Sequence, residues 1–142
     1  MAQAEYLLVL CGVIIISLVD GQSLDNCKRV ASGDALKQLW DSKSYEVIPG
    51  TDMDALLDCV MREFKLIEST GEGIHEAIYY AMKRVEDHKN NNHILEHCIY
   101  ETFKLKPEIT RAHMYYKCVM ESDSRHIFKK AFNGKVCGSI YQ

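Results

Sequence analysis

The chain has 142 residues, room for one domain and hardly for two, and 47% of them are apolar, enough for a buried core. Its 17 Lys and Arg are scattered among 20 Asp and Glu, so no basic stripe marks a nucleic-acid surface. Tyr6 to Val19, YLLVLCGVIIISLV, is an apolar run of secretory-signal length and too short for a comfortable membrane span. Val19-Asp20-Gly21 places small residues at −3 and −1, although the preceding MAQAE holds no Lys or Arg. Residues 1–21 are therefore expected to be a signal peptide. Residues 22–142 are expected to form the mature, secreted domain, near neutral, with no membrane attachment after cleavage. It retains five cysteines, Cys27, Cys59, Cys98, Cys118 and Cys137; two bridges and one free thiol can be chosen from them in fifteen ways.

Gln22 to Val30 reads as a polar lead-in carrying Cys27. Asp34 to Asp41 reads as a short helix with Leu36, Leu39 and Trp40 inward, and Lys43 to Gly50 as a loop broken by Pro49-Gly50. Thr51 to Phe64 is the strongest helix: Thr51 is the expected N-cap. Met53, Leu56, Leu57, Val60, Met61 and Phe64 recur at steps of three and four. After Gly71-Glu72-Gly73, the positions Ile74, Ala77, Ile78, Ala81, Met82 and Val85 form the next apolar face. Asn90-Asn91-Asn92 then caps a helix over His93 to Leu105, and Pro107 falls in the first turn of one reaching Met120. Ser122 caps a last helix to Asn133, with Gly134 as its stop; the tail KVCGSIYQ has no assignment. No convincing pair of strands exists, so the chain reads as all-α.

Chemistry is scarce on these elements. His93 and His97 stand one turn apart, but Cys98 projects about 100° around the helix from His97, and no second Cys/His pair completes a zinc set. No phosphate loop, nucleophile elbow or paired carboxylates occur, and oxidation removes most thiols from use. Neither an enzyme nor a metal or other cofactor is expected. Aromatic residues crowd the second half instead, as core or as the lining of a cavity with Tyr hydroxyls for polar grips.

The frame of Cys27, 31 residues, Cys59, 38 residues, Cys98, 19 residues and Cys118 resembles the short D7-related salivary proteins of blood-feeding flies. TDMDALLDCVMREF, STGEG and YYKCVMESDSRHIFKKAF carry the same likeness, and those proteins belong to the insect odorant-binding superfamily. The resemblance implies a single all-α, odorant-binding-protein-like domain of five to seven short helices, disulfide-linked around an internal ligand cavity. It implies a monomeric saliva protein that sequesters host haemostatic mediators, either biogenic amines or eicosanoids. Trp40 and Thr102 stand where the family commonly has cysteines, so the resemblance implies Cys27–Cys59 and Cys98–Cys118 as the surviving bridges. Cys137 has no counterpart and is a candidate for a dimer crosslink.

The family's amine site transfers in part. Lys43 matches its basic residue and Tyr116 its tyrosine, but Leu56 replaces a histidine, and Asn133 and Val136 replace two carboxylates. Ile127 to Ile140 contains no Asp or Glu, and a buried ammonium without an anionic partner is disfavoured. The expected site of Lys43, Leu56, Tyr116, Phe128, Phe132, Asn133 and Val136 thus leans to a fatty acid or eicosanoid, its carboxylate answered by Lys43. Two alternatives stand beside it: an odorant or pheromone carrier, and a surface-acting inhibitor of clotting with no small ligand.

Overall fold

The computed structural model describes residues 24–136; the expected signal peptide and Cys137 lie outside them. A 3-10 turn, Leu24–Cys27, is followed by six helices: α1 Gly33–Asp41, α2 Met53–Glu63, α3 His75–Val85, α4 Asn91–Thr102, α5 Thr110–Met120 and α6 Arg125–Val136. None of the described helices is long and apolar enough to cross a membrane. The loop before α3 is closed by a single antiparallel bridge, Ile67 to Gly73, and no strand forms among the described residues.

Helix α2 begins one residue later than its sequence suggests. Pro49-Gly50 forms a tight turn with Gly50 at φ 73°, and the Thr51 N–H is spent on the Ile48 carbonyl. Asp52 therefore caps the helix, its carboxylate accepting from the N–H groups of Asp54 and Ala55 at 3.1 and 3.2 Å. The apolar stripe is buried as expected from Met53 to Met61. Its C-terminus closes on Lys65 at φ 58°, with Lys65 N–H bonding to Arg62 and Leu66 N–H to Met61.

Later boundaries shift for local reasons. On α3, Ile78 and Met82 are buried, but Val85 is 40% exposed because the last turn and the residues after it leave the body of the protein. Asn91 does not cap α4 from outside. It is buried in the first turn, its amide donating to the Glu86 carbonyl at 3.0 Å. Pro107 follows a cis bond and ends in a turn that receives the Thr110 N–H, so α5 starts at Thr110. Gly134 does not stop α6; it lies in open space on the helix surface and the helix continues to Val136.

Helix α2 packs on α5 and on the opening 3-10 turn, α3 on α4 and α6, and α5 on α4 and α6. Cys27–Cys59 bonds the opening turn to α2, and Cys98–Cys118 bonds α4 to α5. These are the two pairs that the family resemblance implied. Buried Arg111 adds a polar staple, its guanidinium donating to the Leu105 and Thr70 carbonyls, each at 2.8 Å.

Two measurements follow. Replacing Cys98 and Cys118 together by Ala is expected to lower stability by about 3 kcal/mol through the opened loop, read from the urea midpoint by circular dichroism. A Cβ on Gly73 would lie 2.7 Å from the Tyr115 ring, inside any real contact. Gly73→Ala is therefore expected to cost about 1–3 kcal/mol in the same assay.

Candidate ligand-binding site

Helix α6 presents Phe128, Lys129, Phe132, Asn133 and Val136 on its inner face, at the spacing of consecutive helical turns. Phe128 and Phe132 meet Tyr116 of α5, with ring centroids 6.0 and 5.3 Å from the tyrosine and 5.8 Å from each other. All three rings are buried, as is Leu56 on α2, and Val136 closes the row. This is a tilted aromatic cluster, the geometry that ring quadrupoles prefer.

One edge of the cluster is polar. The Lys129 ammonium donates to the carbonyls of Trp40 and Ser42, both at 2.8 Å. These belong to the last turn of α1 and its C-cap, where carbonyls lack helical partners and carry the negative end of the helix dipole. Asn133 donates to the same Trp40 carbonyl at 3.2 Å, while its own carbonyl oxygen is buried with no partner. The Tyr116 hydroxyl is likewise buried and unpartnered: Ser42 lies near it, but the Ser42 hydroxyl is turned to the Leu39 carbonyl. Burial pushes the Tyr116 hydroxyl up to about 12 and Lys129 down to about 8, the latter opposed by Asp41 and Glu46. Tyr116 is thus a neutral donor and acceptor at physiological pH.

The expected site residues divide in two. Tyr116, Phe128 and Phe132 come together, with Asn133 at their polar edge. Lys43 is exposed and lines a surface cleft of about 400 Å³ beside Ser42, Asp41 and Glu46. The cation that reaches the polar edge is Lys129, which is not among the site residues expected from the sequence. Its signal was positional: Lys129 stands one turn before Asn133 on the inner face of α6.

A second constellation was invisible in the sequence. The Asp54 carboxylate lies 2.8 Å from Nδ1 of His113, and Nε2 of His113 lies 2.6 Å from the Tyr45 hydroxyl. His93 and His97 are exposed rings 6.4 Å apart. Among the described residues no three His, Cys, Asp or Glu side chains are grouped to hold a metal ion.

Six helices joined by two disulfides thus hold an aromatic cluster against the polar end of α1. Residues 22–122 match the PBP/GOBP family, and the chain belongs to it. It is 31% identical over 129 residues to the short form salivary protein D7R4 of Anopheles gambiae, spanning 91% of this chain and 76% of that relative. It is 30% identical over 128 residues to the short form salivary protein D7R1 of Anopheles stephensi, with 90% and 76% covered. The crystal structure of the Anopheles gambiae D7R4–norepinephrine complex superposes with a TM-score of 0.70 at 28% identity, covering 84% of this chain and 82% of that one.

The polar edge has a pH signature. Lys129 is depressed in the fold, so the unfolded chain holds more protons from about pH 8 to 10.5 and stability rises with pH there. Tyr116 is raised, so above about pH 10 the folded chain holds more protons and stability falls. Urea midpoints are expected to climb from pH 8 to 10 and then drop, and Lys129→Met is expected to abolish the climb.

Proposed function

We propose that the chain is a secreted, non-enzymatic carrier that sequesters a small aromatic amine of the host in saliva. In this reading the amine's ring lies among Tyr116, Phe128 and Phe132. Its ammonium donates to the Asn133 carbonyl and the Tyr116 hydroxyl, two of the buried polar atoms without partners among the described residues. That pair of orphan acceptors beside an aromatic cluster is the observation that carries the proposal, because an unpaired buried polar group costs free energy that a ligand's donor would recover. The D7R4–norepinephrine neighbour supports the same ligand class.

The lean toward lipids drawn from the sequence gives way as the first reading. It rested on the absence of acids in α6 and on Lys43 as the anchor. Asp41 and Glu46, from α1 and the segment after it, lie close enough to act on Lys129 and line the adjoining cleft. Acids lost from α6 are thus partly supplied from across the site. Neutral acceptors hold an ammonium less firmly than carboxylates, and Lys129 opposes it, so a Kd on the order of micromolar is expected.

A second reading, an acid-bearing lipid, is favoured by the Lys129 ammonium at the polar edge. The two separate by pH. Titration calorimetry with norepinephrine, serotonin, arachidonate and a leukotriene is to be run at pH 7 and 8.5. Amine binding is expected to tighten several-fold as Lys129 loses its charge, and lipid binding to weaken. Lipid binding at both pH values with no amine binding would reverse the order of the two readings. Phe132→Ala is expected to weaken norepinephrine about two- to twelve-fold, loss of one ring face being worth about 0.5–1.5 kcal/mol.

A further inference from the structure

The segment between α1 and α2 borders the polar edge, yet little holds it there. Of residues 43–47 only Tyr45 is not exposed, and no backbone hydrogen bond within the described residues anchors them. The segment nevertheless sits against the site. The Ser42 carbonyl accepts from Lys129, and Glu46 acts electrostatically on both Tyr116 and Lys129. Its far end is pinned by buried Ile48.

Tyr45 is held by α5. Its hydroxyl meets Nε2 of His113 at 2.6 Å, its ring stacks on the imidazole with centroids 5.7 Å apart, and the Lys117 ammonium lies 5.4 Å from its ring centre. His113 is itself fixed by Asp54 on α2, whose carboxylate oxygen lies 2.8 Å from Nδ1. A carboxylate only accepts, so Nδ1 carries the proton, and Nε2 can pair with the Tyr45 hydroxyl, which both donates and accepts. The hydrogen bonds therefore form one consistent chain from α2 through α5 to the segment.

We propose that Asp54, His113 and Tyr45 form a positioning clamp that holds residues 42–47 over the Tyr116–Lys129 edge and so governs access to it. The inference rests on the ligand-site reading above. The clamp acts through Tyr45 because, between the Ser42 carbonyl and buried Ile48, every other residue of the segment is exposed. Losing the Tyr45 hydroxyl bond would free the Ser42 and Glu46 side of the site while leaving the helices in place.

The test reads Lys129 itself. The full disulfide-bonded protein is treated with trace acetic anhydride, and acylation of Lys129 is measured by peptide mass spectrometry against exposed Lys130 beside it. Tyr45→Phe and His113→Ala are expected to raise the Lys129-to-Lys130 ratio at least five-fold. Asp54→Asn, which still accepts from Nδ1, is expected to stay within two-fold of the parent protein. Thr102→Ala, which removes a buried hydroxyl that donates to the Cys98 carbonyl on α4, a helix carrying no clamp residue, is expected to leave the ratio unchanged. No rise in the two clamp variants, or an equal rise in Thr102→Ala, would overturn the clamp. Norepinephrine dissociation is expected to accelerate by the same factor in Tyr45→Phe; faster labelling with unchanged dissociation would overturn control of access. If the parent protein binds neither norepinephrine nor arachidonate, the ligand reading fails, and with it any control of ligand access, while the labelling ratio still decides the clamp.

Discussion

The Lys129 ammonium, seated on two peptide carbonyls at the end of α1, is the contact on which the geometry of the site depends. It joins the first helix to the last across most of the chain. A buried cation is tolerable only where its charge is answered, and here the answer comes from carbonyls at the negative end of a helix with Asp41 and Glu46 near by. With Lys129 so placed, Asn133 one turn on is drawn to the same Trp40 carbonyl, which leaves its own carbonyl oxygen buried and unpaired. The polar edge thus follows from satisfying the end of α1.

The aromatic side of the site depends on different forces. Phe128 and Phe132 lie one turn apart, so any helix over that stretch aims both rings the same way. Tyr116 reaches them because Cys98–Cys118 and the contacts of α5 with α2 and α4 leave α5 little freedom. The ring cluster is a packing result, and the orphan acceptors at its rim are what distinguish it from ordinary core. Membership in the PBP/GOBP family accounts for the frame, while the contacts of Lys129 and Asn133 with the end of α1 set the polar edge.

Much of the frame is legible in the residues alone. The stripe from Met53 to Met61 predicts α2 and its buried face, and Phe128 with Phe132 predicts an inner face on α6. Capping was less legible. Thr51 and Asp52 are both good cap residues, and the choice between them was made by the Pro49-Gly50 turn, which consumes the Thr51 N–H. Gly134 reads as a stop, yet an exposed glycine costs a helix only about 1 kcal/mol, less than the burial of Val136 beyond it recovers. Asn91 reads as a surface cap and proves to be a buried polar anchor.

Local pattern, then, determined the number and kind of elements, the apolar faces and the cysteine frame, because helical periodicity and the cost of burying polar groups act over a few residues. Tertiary structure decided which charge meets which carbonyl. Lys43 and Lys129 are indistinguishable as lysines in the sequence, and one is exposed while the other is buried against α1. The Asp54–His113–Tyr45 chain likewise joins residues 59 and 68 positions apart, a separation at which sequence carries no trace of contact. Such pairings exist only after the helices have packed, since it is the packing that brings the donors and acceptors within reach.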